Sequence, residues 1–145
     1  MNQIRRDAAA LTNLLLGAAH ALQAELEDAF AAEGLSSARY GVLEQLARAP
    51  DALPLSELAA RQSCVRSNMT QLIDRLEADG LVRRVADPED RRSVRAELTS
   101  AGRERQAAGA KQLRRVQEEF AAAIPAADRA PLERALAVIG RGFVA

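Results

Sequence analysis

The chain holds one cysteine, one histidine, one tyrosine, no tryptophan and a single lysine among its 20 basic residues. A lone cysteine excludes an internal disulfide and suits a reducing cytoplasm. One histidine with one cysteine cannot build the usual zinc ligand sets, so no metal is expected, and nothing calls for another cofactor. Aromatic residues make up only 3% of the chain while alanine and leucine abound, a balance that favours helices over sheets. No apolar run reaches the roughly 18 residues that a membrane span needs. The opening MNQIRRDAAALTNLLLGAAHA has the look of a secretory signal, but Asp7, Thr12, Asn13 and His20 interrupt it. Its apolar residues also continue at helical period beyond it, so it reads as part of the mature protein. There is no glycine-rich phosphate loop and no nucleophile–base–orienter set. The carboxylates are scattered at helix-surface spacing, where they serve solubility and i, i+4 pairing. The chain is not read as an enzyme.

What is present is a composition of 145 residues, 48% hydrophobic and 28% charged with zero net charge, enough for one domain with a real core. Charge is uneven along the chain: residues 1–60 sum to −4, residues 61–95 to +2 and residues 96–145 to +2. With no basic tail, contact with a polyanion must use individually placed arginines.

Hydrophobic periodicity predicts a first helix over about Asp7–Glu33, with Leu11, Leu14, Leu15, Ala18, Leu22, Leu26 and Phe30 on one stripe and Gly34 as its stop. Ser36 or Ser37 can cap a second helix carrying Tyr40, Val42, Leu43 and Leu46. Pro50 and Asp51 end it. A short helix follows Pro54, and a turn at Ser63–Cys64 leads to a fourth helix ending at Gly80, with Val65, Met69, Leu72, Ile73 and Leu76 as its stripe. LVRRVA and SVRAEL then flank the loop ADPEDRR; in the second, Val94, Ala96 and Leu98 alternate with Ser93, Arg95 and Glu97, the period of a half-buried strand. Two strands around a charged loop make a hairpin. Thr99 can cap a long helix with Leu113, Val116, Phe120 and Ile124; Pro125 breaks it, and a last helix carries Leu132, Leu136, Ile139 and Phe143. The fold class is therefore mainly α with a small β-hairpin (α+β): a winged helix-turn-helix between N- and C-terminal helices.

On the fourth helix, the stripe leaves Ser67, Thr70, Gln71 and Asp74 pointing outward, with Asn68 and Arg75 on one flank and Arg66 on the other. Short hydroxyls and amides are poor helix formers. They are suited to reading base edges: Asn and Gln pair with adenine, Arg with guanine, while Ser, Thr and backbone amides hold phosphates. A merely solvated polar face explains this helix alone equally well; the helix before it and the hairpin after it favour the DNA reading.

The segment LSELAARQSCVRSNMTQLIDRLEADGLVRRVADPEDRRSVRAELTSAG, residues 55–102, resembles the MarR family of winged-helix transcription regulators. The most specific part is DRLEADGLVRRVADPEDRRSVRAELTSAG, where a DRLE helix end, a GLV strand start, a DPxDRR loop and an LTxxG exit fall in family order. The resemblance extends over nearly the whole chain. It implies one domain over 1–145, with a winged-helix core over about 36–99 and dimerisation helices over about 5–33 and 100–145. It implies a homodimer on a pseudo-palindromic double-stranded operator, acting as a ligand-responsive repressor in the cytoplasm, away from membranes. Arg66, Ser67, Asn68, Thr70, Gln71 and Arg75 would touch the major groove, and Arg91 and Arg92 the adjacent minor groove. Asp90 would orient the wing, by the DxR spacing to Arg92. A small aromatic or phenolic effector would bind in a crevice near His20, Arg39 and Tyr40. For His20 and Arg39 an exposed or structural role fits equally, and Tyr40 also fits a core position.

The sequence departs from the family at Ser63, Cys64 and Val65, where relatives carry glycine, an apolar residue and a capping Ser or Asp. Val65 cannot cap; Ser63 can if the helix starts earlier. Cys64 occupies a small-residue turn, and near a helix N-terminus a thiol can also sense oxidants. Two alternatives follow: redox sensing through Cys64, and a winged helix used only for protein–protein contact.

Overall fold

The computed structural model describes residues 2–62 and 66–142. Ser63, Cys64, Val65 and Phe143, named above for a cap, a redox role and two apolar stripes, lie outside the described residues. The side chain of Arg66 does too.

Six helices and three strands make up the described chain. Helix α1 (Asn2–Ala31) begins five residues earlier than expected and closes as its sequence suggests. Gly34 takes φ 68° and the Leu35 amide donates back to the Phe30 carbonyl, a left-handed stop that spares the last carbonyls. Ser36 caps α2 (Ser37–Arg48) by accepting from the Arg39 amide, and α3 spans Leu55–Arg61. Helix α4 (Arg66–Ala78) stops at Gly80, φ 73°, with the Leu81 amide donating to the Leu76 carbonyl. Strands β2 (Val82–Ala86) and β3 (Val94–Leu98) form the expected hairpin, and α5 (Ser100–Ala123) and α6 (Ala126–Gly140) follow.

One strand was not anticipated. Leu53–Pro54, β1, pairs antiparallel with β3 at Leu53↔Ala96 and Pro54↔Arg95, giving the sheet order β1-β3-β2. Two residues carry no period to read; β1 exists because the free edge of β3 lies beside it.

The core gathers between α2, α3, α4 and the sheet. Val42, Leu43, Leu58, Met69, Ile73, Leu76 and Ala96 are fully buried, so α4 is clamped by the stripe its sequence displays. The alternation along β3 holds at Ala96 and Leu98 but not at Val94, which is 42% exposed because the hairpin has by then run past the core. Phe30 of α1 stacks on Tyr40, ring centroids 4.5 Å apart, and brings α1 and α2 together.

The exit from the hairpin explains why LTSAG has the form it has. The Thr99 hydroxyl accepts from the Gly102 amide at 3.0 Å and donates to the Gly80 carbonyl at 2.6 Å. The Thr99 amide donates to the Leu81 carbonyl at 3.1 Å. One threonine thus caps α5 and ties it to the end of α4. A Cβ at position 102 would lie 1.9 Å from the Leu81 carbonyl oxygen, so only glycine lets α5 start this close to the strand.

Candidate nucleic-acid interface

With Met69, Ile73 and Leu76 turned inward, α4 presents Ser67, Asn68, Thr70, Gln71, Asp74 and Arg75 to solvent. Two hollows flank this ridge. One, of about 550 Å³, lies between α3, α4 and the hairpin, with Ser56, Thr70, Asp90, Arg92 and Ser93 on its walls. The other, of about 340 Å³, is lined by Ala38, Asn68, Gln71, Leu72 and Arg75. The expected contact residues are therefore divided. Thr70 and Arg92 share one hollow, Asn68, Gln71 and Arg75 line the other, and Ser67 stands exposed on the ridge between. Arg91 is exposed at the hairpin tip.

The charges of ADPEDRR separate into distinct roles. Asp87 is the buried acid. One of its oxygens accepts from the Glu89 amide at 2.9 Å, the other from Nε of Arg95 at 2.9 Å, and Arg95 also donates to the Ala52 carbonyl at 3.2 Å. The Glu89 amide first, then Arg95, hold the Asp87 carboxyl below the usual carboxylate range. Asp90 accepts from the Arg92 backbone amide at 2.9 Å, and the Ser93 amide donates to the Asp90 carbonyl at 3.0 Å. Asp90 thus shapes the main chain carrying Arg92 and forms no ion pair with its guanidinium among the described residues. The acid paired with an arginine is Asp87, at the hairpin's root.

The arginines sort in the same way. Eight arginines fall between positions 61 and 95, and the side chains of seven, all but Arg66, are described. Arg61 pairs with Glu57, Arg83 with Glu97, Arg84 with Asp74 and Glu77, and Arg95 with Asp87. Arg75, Arg91 and Arg92 make no ion pair among the described residues. The i, i+4 spacing accounts for the Arg61–Glu57 pair and cross-strand register for Arg83–Glu97, but nothing in the one-dimensional pattern marks Arg84 and Arg95 as paired.

Residues 33–93 match the model of the MarR family. A MarR-like protein of Bacillus cereus has the same fold, with 26% identity and a TM-score of 0.84 over 96% of this chain and 99% of its own. Over residues 33–93 the chain is similar to the MarR family. Another solved relative is the Mycobacterium tuberculosis regulator MOSR in complex with DNA, at 29% identity and a TM-score of 0.70 over 90% of this chain and 92% of that one. The Bacillus subtilis transcriptional repressor YetL is 38% identical over 81 residues, which cover 55% of this chain. The match spans 48% of YetL, and 46% of the B. subtilis regulator YkoM, so this chain aligns with about half the length of these curated relatives.

Of the three residues expected near an effector crevice, Arg39 and Tyr40 are neighbours on α2 and His20 lies on α1. His20 is exposed on α1, ten residues or about 15 Å along the helix from Phe30. Arg39 is bound to Asp79 just beyond α4 and donates to the Gly34 carbonyl at 3.1 Å. Tyr40 is buried, and its hydroxyl donates to Glu44 at 3.0 Å. Burial, then the Glu44 carboxylate, raise the Tyr40 phenol to about 12. Burial alone would push Glu44 upward. Hydrogen bonds from Gln106, Tyr40 and Arg48 outweigh it and leave that carboxyl below its ordinary value. Among the described residues no helix is long and apolar enough to cross a membrane, and no cluster of His, Cys, Asp and Glu has the form of a metal site.

Proposed function

We propose that this chain is a sequence-specific regulator that binds double-stranded DNA as a homodimer on a pseudo-palindromic operator. The observation that carries the reading is the sorting of arginines. Arg61, Arg83, Arg84 and Arg95 are neutralised by acids, whereas Arg75 on the α4 ridge and Arg91 and Arg92 at the hairpin tip make no ion pair among the described residues. A neutral protein that concentrates free guanidinium beside exposed amides and hydroxyls has the surface a phosphate-lined groove requires. Asn68, Thr70 and Gln71 take the base edges, Ser67, Arg66 and Arg75 bases or phosphates, and Arg91 and Arg92 the narrow minor groove. In a dimer the two α4 helices meet major grooves about one turn apart.

The winged helix occupies about 36–99, and the flanking helices form the dimer. Supporting this, α6 has no buried residue, and α1 has none before Ala29 among the described residues. Leu11, Leu14 and Leu16 are exposed by 63–70%, and Leu132, Leu136 and Ile139 by 37–40%, an apolar area that a second copy would cover. The regulator acts as a repressor in the cytoplasm. A small aromatic or phenolic effector, bound where dimer helices meet the winged helix, would alter the spacing of the two α4 helices.

A binding selection on genomic fragments with the purified chain tests the reading. It should enrich fragments sharing one inverted repeat with half-sites about one helical turn apart. A stable dimer that retards no fragment even at low salt would overturn it in favour of a protein–protein module.

A further inference from the structure

Asp74 is the residue on the α4 ridge that a DNA-reading surface should not carry. It points outward at the centre of the exposed face, with its side chain 58% exposed, and Glu77 follows one turn on at 42%. Two carboxylates facing a polyanion within a Debye length of about 10 Å repel it. Arg84, on β2 beside the helix, meets both. Its amide and one guanidinium nitrogen each donate to Glu77 at 2.9 Å, and the other terminal nitrogen donates to Asp74 at 2.5 Å. The Arg84 side chain is only 27% exposed, less than either acid, so it is the carboxylates that present more surface to solvent. A planar fork can hold two carboxylates on different turns in this way; the single point charge of a lysine cannot.

We infer that Arg84 is a positioning residue for DNA binding, which screens Asp74 and Glu77 and draws them back against the hairpin without itself touching DNA. This rests on α4 being the helix that reads DNA. It predicts an uncommon dependence: the need for Arg84 should vanish when its two acids are gone. A direct phosphate contact would lose its affinity in any background. An arginine serving the framework alone would lower stability and leave the affinity of the folded chain unchanged.

The test uses the full chain and the tightest duplex recovered in the genomic selection, with affinity read by fluorescence anisotropy at several salt concentrations. Arg84→Ala should weaken binding about tenfold or more, with dimer mass and helical content unchanged. Adding Asp74→Asn and Glu77→Gln should bring affinity back to within about threefold of the wild type. Asp74→Asn alone should bind as tightly as the wild type or more tightly. The proposal is overturned if Arg84→Ala binds normally, if its loss is equal in both backgrounds, or if Asp74→Asn alone weakens binding. Should Arg84→Ala fail to fold, the Asp74→Asn and Glu77→Gln single variants decide by that last criterion. Wild-type binding with an inert Arg84→Ala removes this proposal alone; a wild type that binds no duplex removes the regulator reading as well.

Discussion

At the scale of single residues, Tyr40 shows how burial rewrites an ordinary titration. It sits on an apolar stripe, and its place against Phe30 follows from that stripe; its partner Glu44 lies one turn on in the same helix, and only the second donor to that carboxylate, Gln106 of α5, is a tertiary detail. The folded pKa lies above the unfolded value of about 10. Its contribution to stability is therefore complete below about pH 10 and lost as pH rises through about 12. The chain has one tyrosine and no tryptophan, so phenolate absorbance reports this group alone. The titration midpoint should fall near 12 while the helical signal is native; a midpoint near 10 in the folded protein would contradict the buried hydrogen bond. Gly102 is a second case. Alanine there drives a Cβ into the Leu81 carbonyl, and a backbone oxygen cannot step aside cheaply. Gly102→Ala should cost about 3 kcal/mol in urea unfolding at fixed chain concentration. A loss below about 0.5 kcal/mol would mean that α5 shifts freely at its start.

Among elements, the hairpin is where sequence reading went furthest and also where it stopped. Its strands, its turn and the outward position of Arg91 and Arg92 were legible from period two around a charged loop. The division of labour among its acids was not, because an ion pair between Asp87 and Arg95 depends on the fold of the loop, not on spacing. Among the described residues Arg92 has no acid partner and Arg83 has one. Arg92→Ala should accordingly lower the slope of log affinity against log salt by about 0.9, while Arg83→Ala leaves it unchanged. Equal slopes for wild type and Arg92→Ala would exclude a phosphate contact there. The hairpin's root should also respond to acid. Because the Asp87 carboxyl is depressed in the fold, its contribution is present above the ordinary carboxylate pKa and lost as pH falls through the lower folded value. Asp87→Asn should therefore flatten the acid limb of the stability–pH curve; an unchanged limb would assign it to Glu44 instead.

For the whole molecule, what matters is how much apolar helix the single chain leaves uncovered. Leucines on α1 and α6 recur at helical spacing, so their existence as stripes needed no coordinates. That α6 packs nothing of itself away is a tertiary fact. Leu132→Glu together with Leu136→Glu should halve the mass seen by sedimentation and abolish DNA retardation, while the hairpin and α4 keep their fold. A persistent dimer would move the interface elsewhere.

The sequence by itself determined the order of the six helices and the hairpin, the helix stops at Gly34 and Gly80, the Thr99 cap, the buried stripe of α4 and hence the face that α4 must show. Each is a local matter of period, left-handed backbone or a hydroxyl within three residues of an amide. Tertiary structure alone decided the third strand, the outward turn of Val94, the commitment of Arg39 to Asp79 and the separation of paired from unpaired arginines. Those depend on which segments meet in space, and a guanidinium on a long, rotatable stem can find any carboxylate that the fold brings within reach.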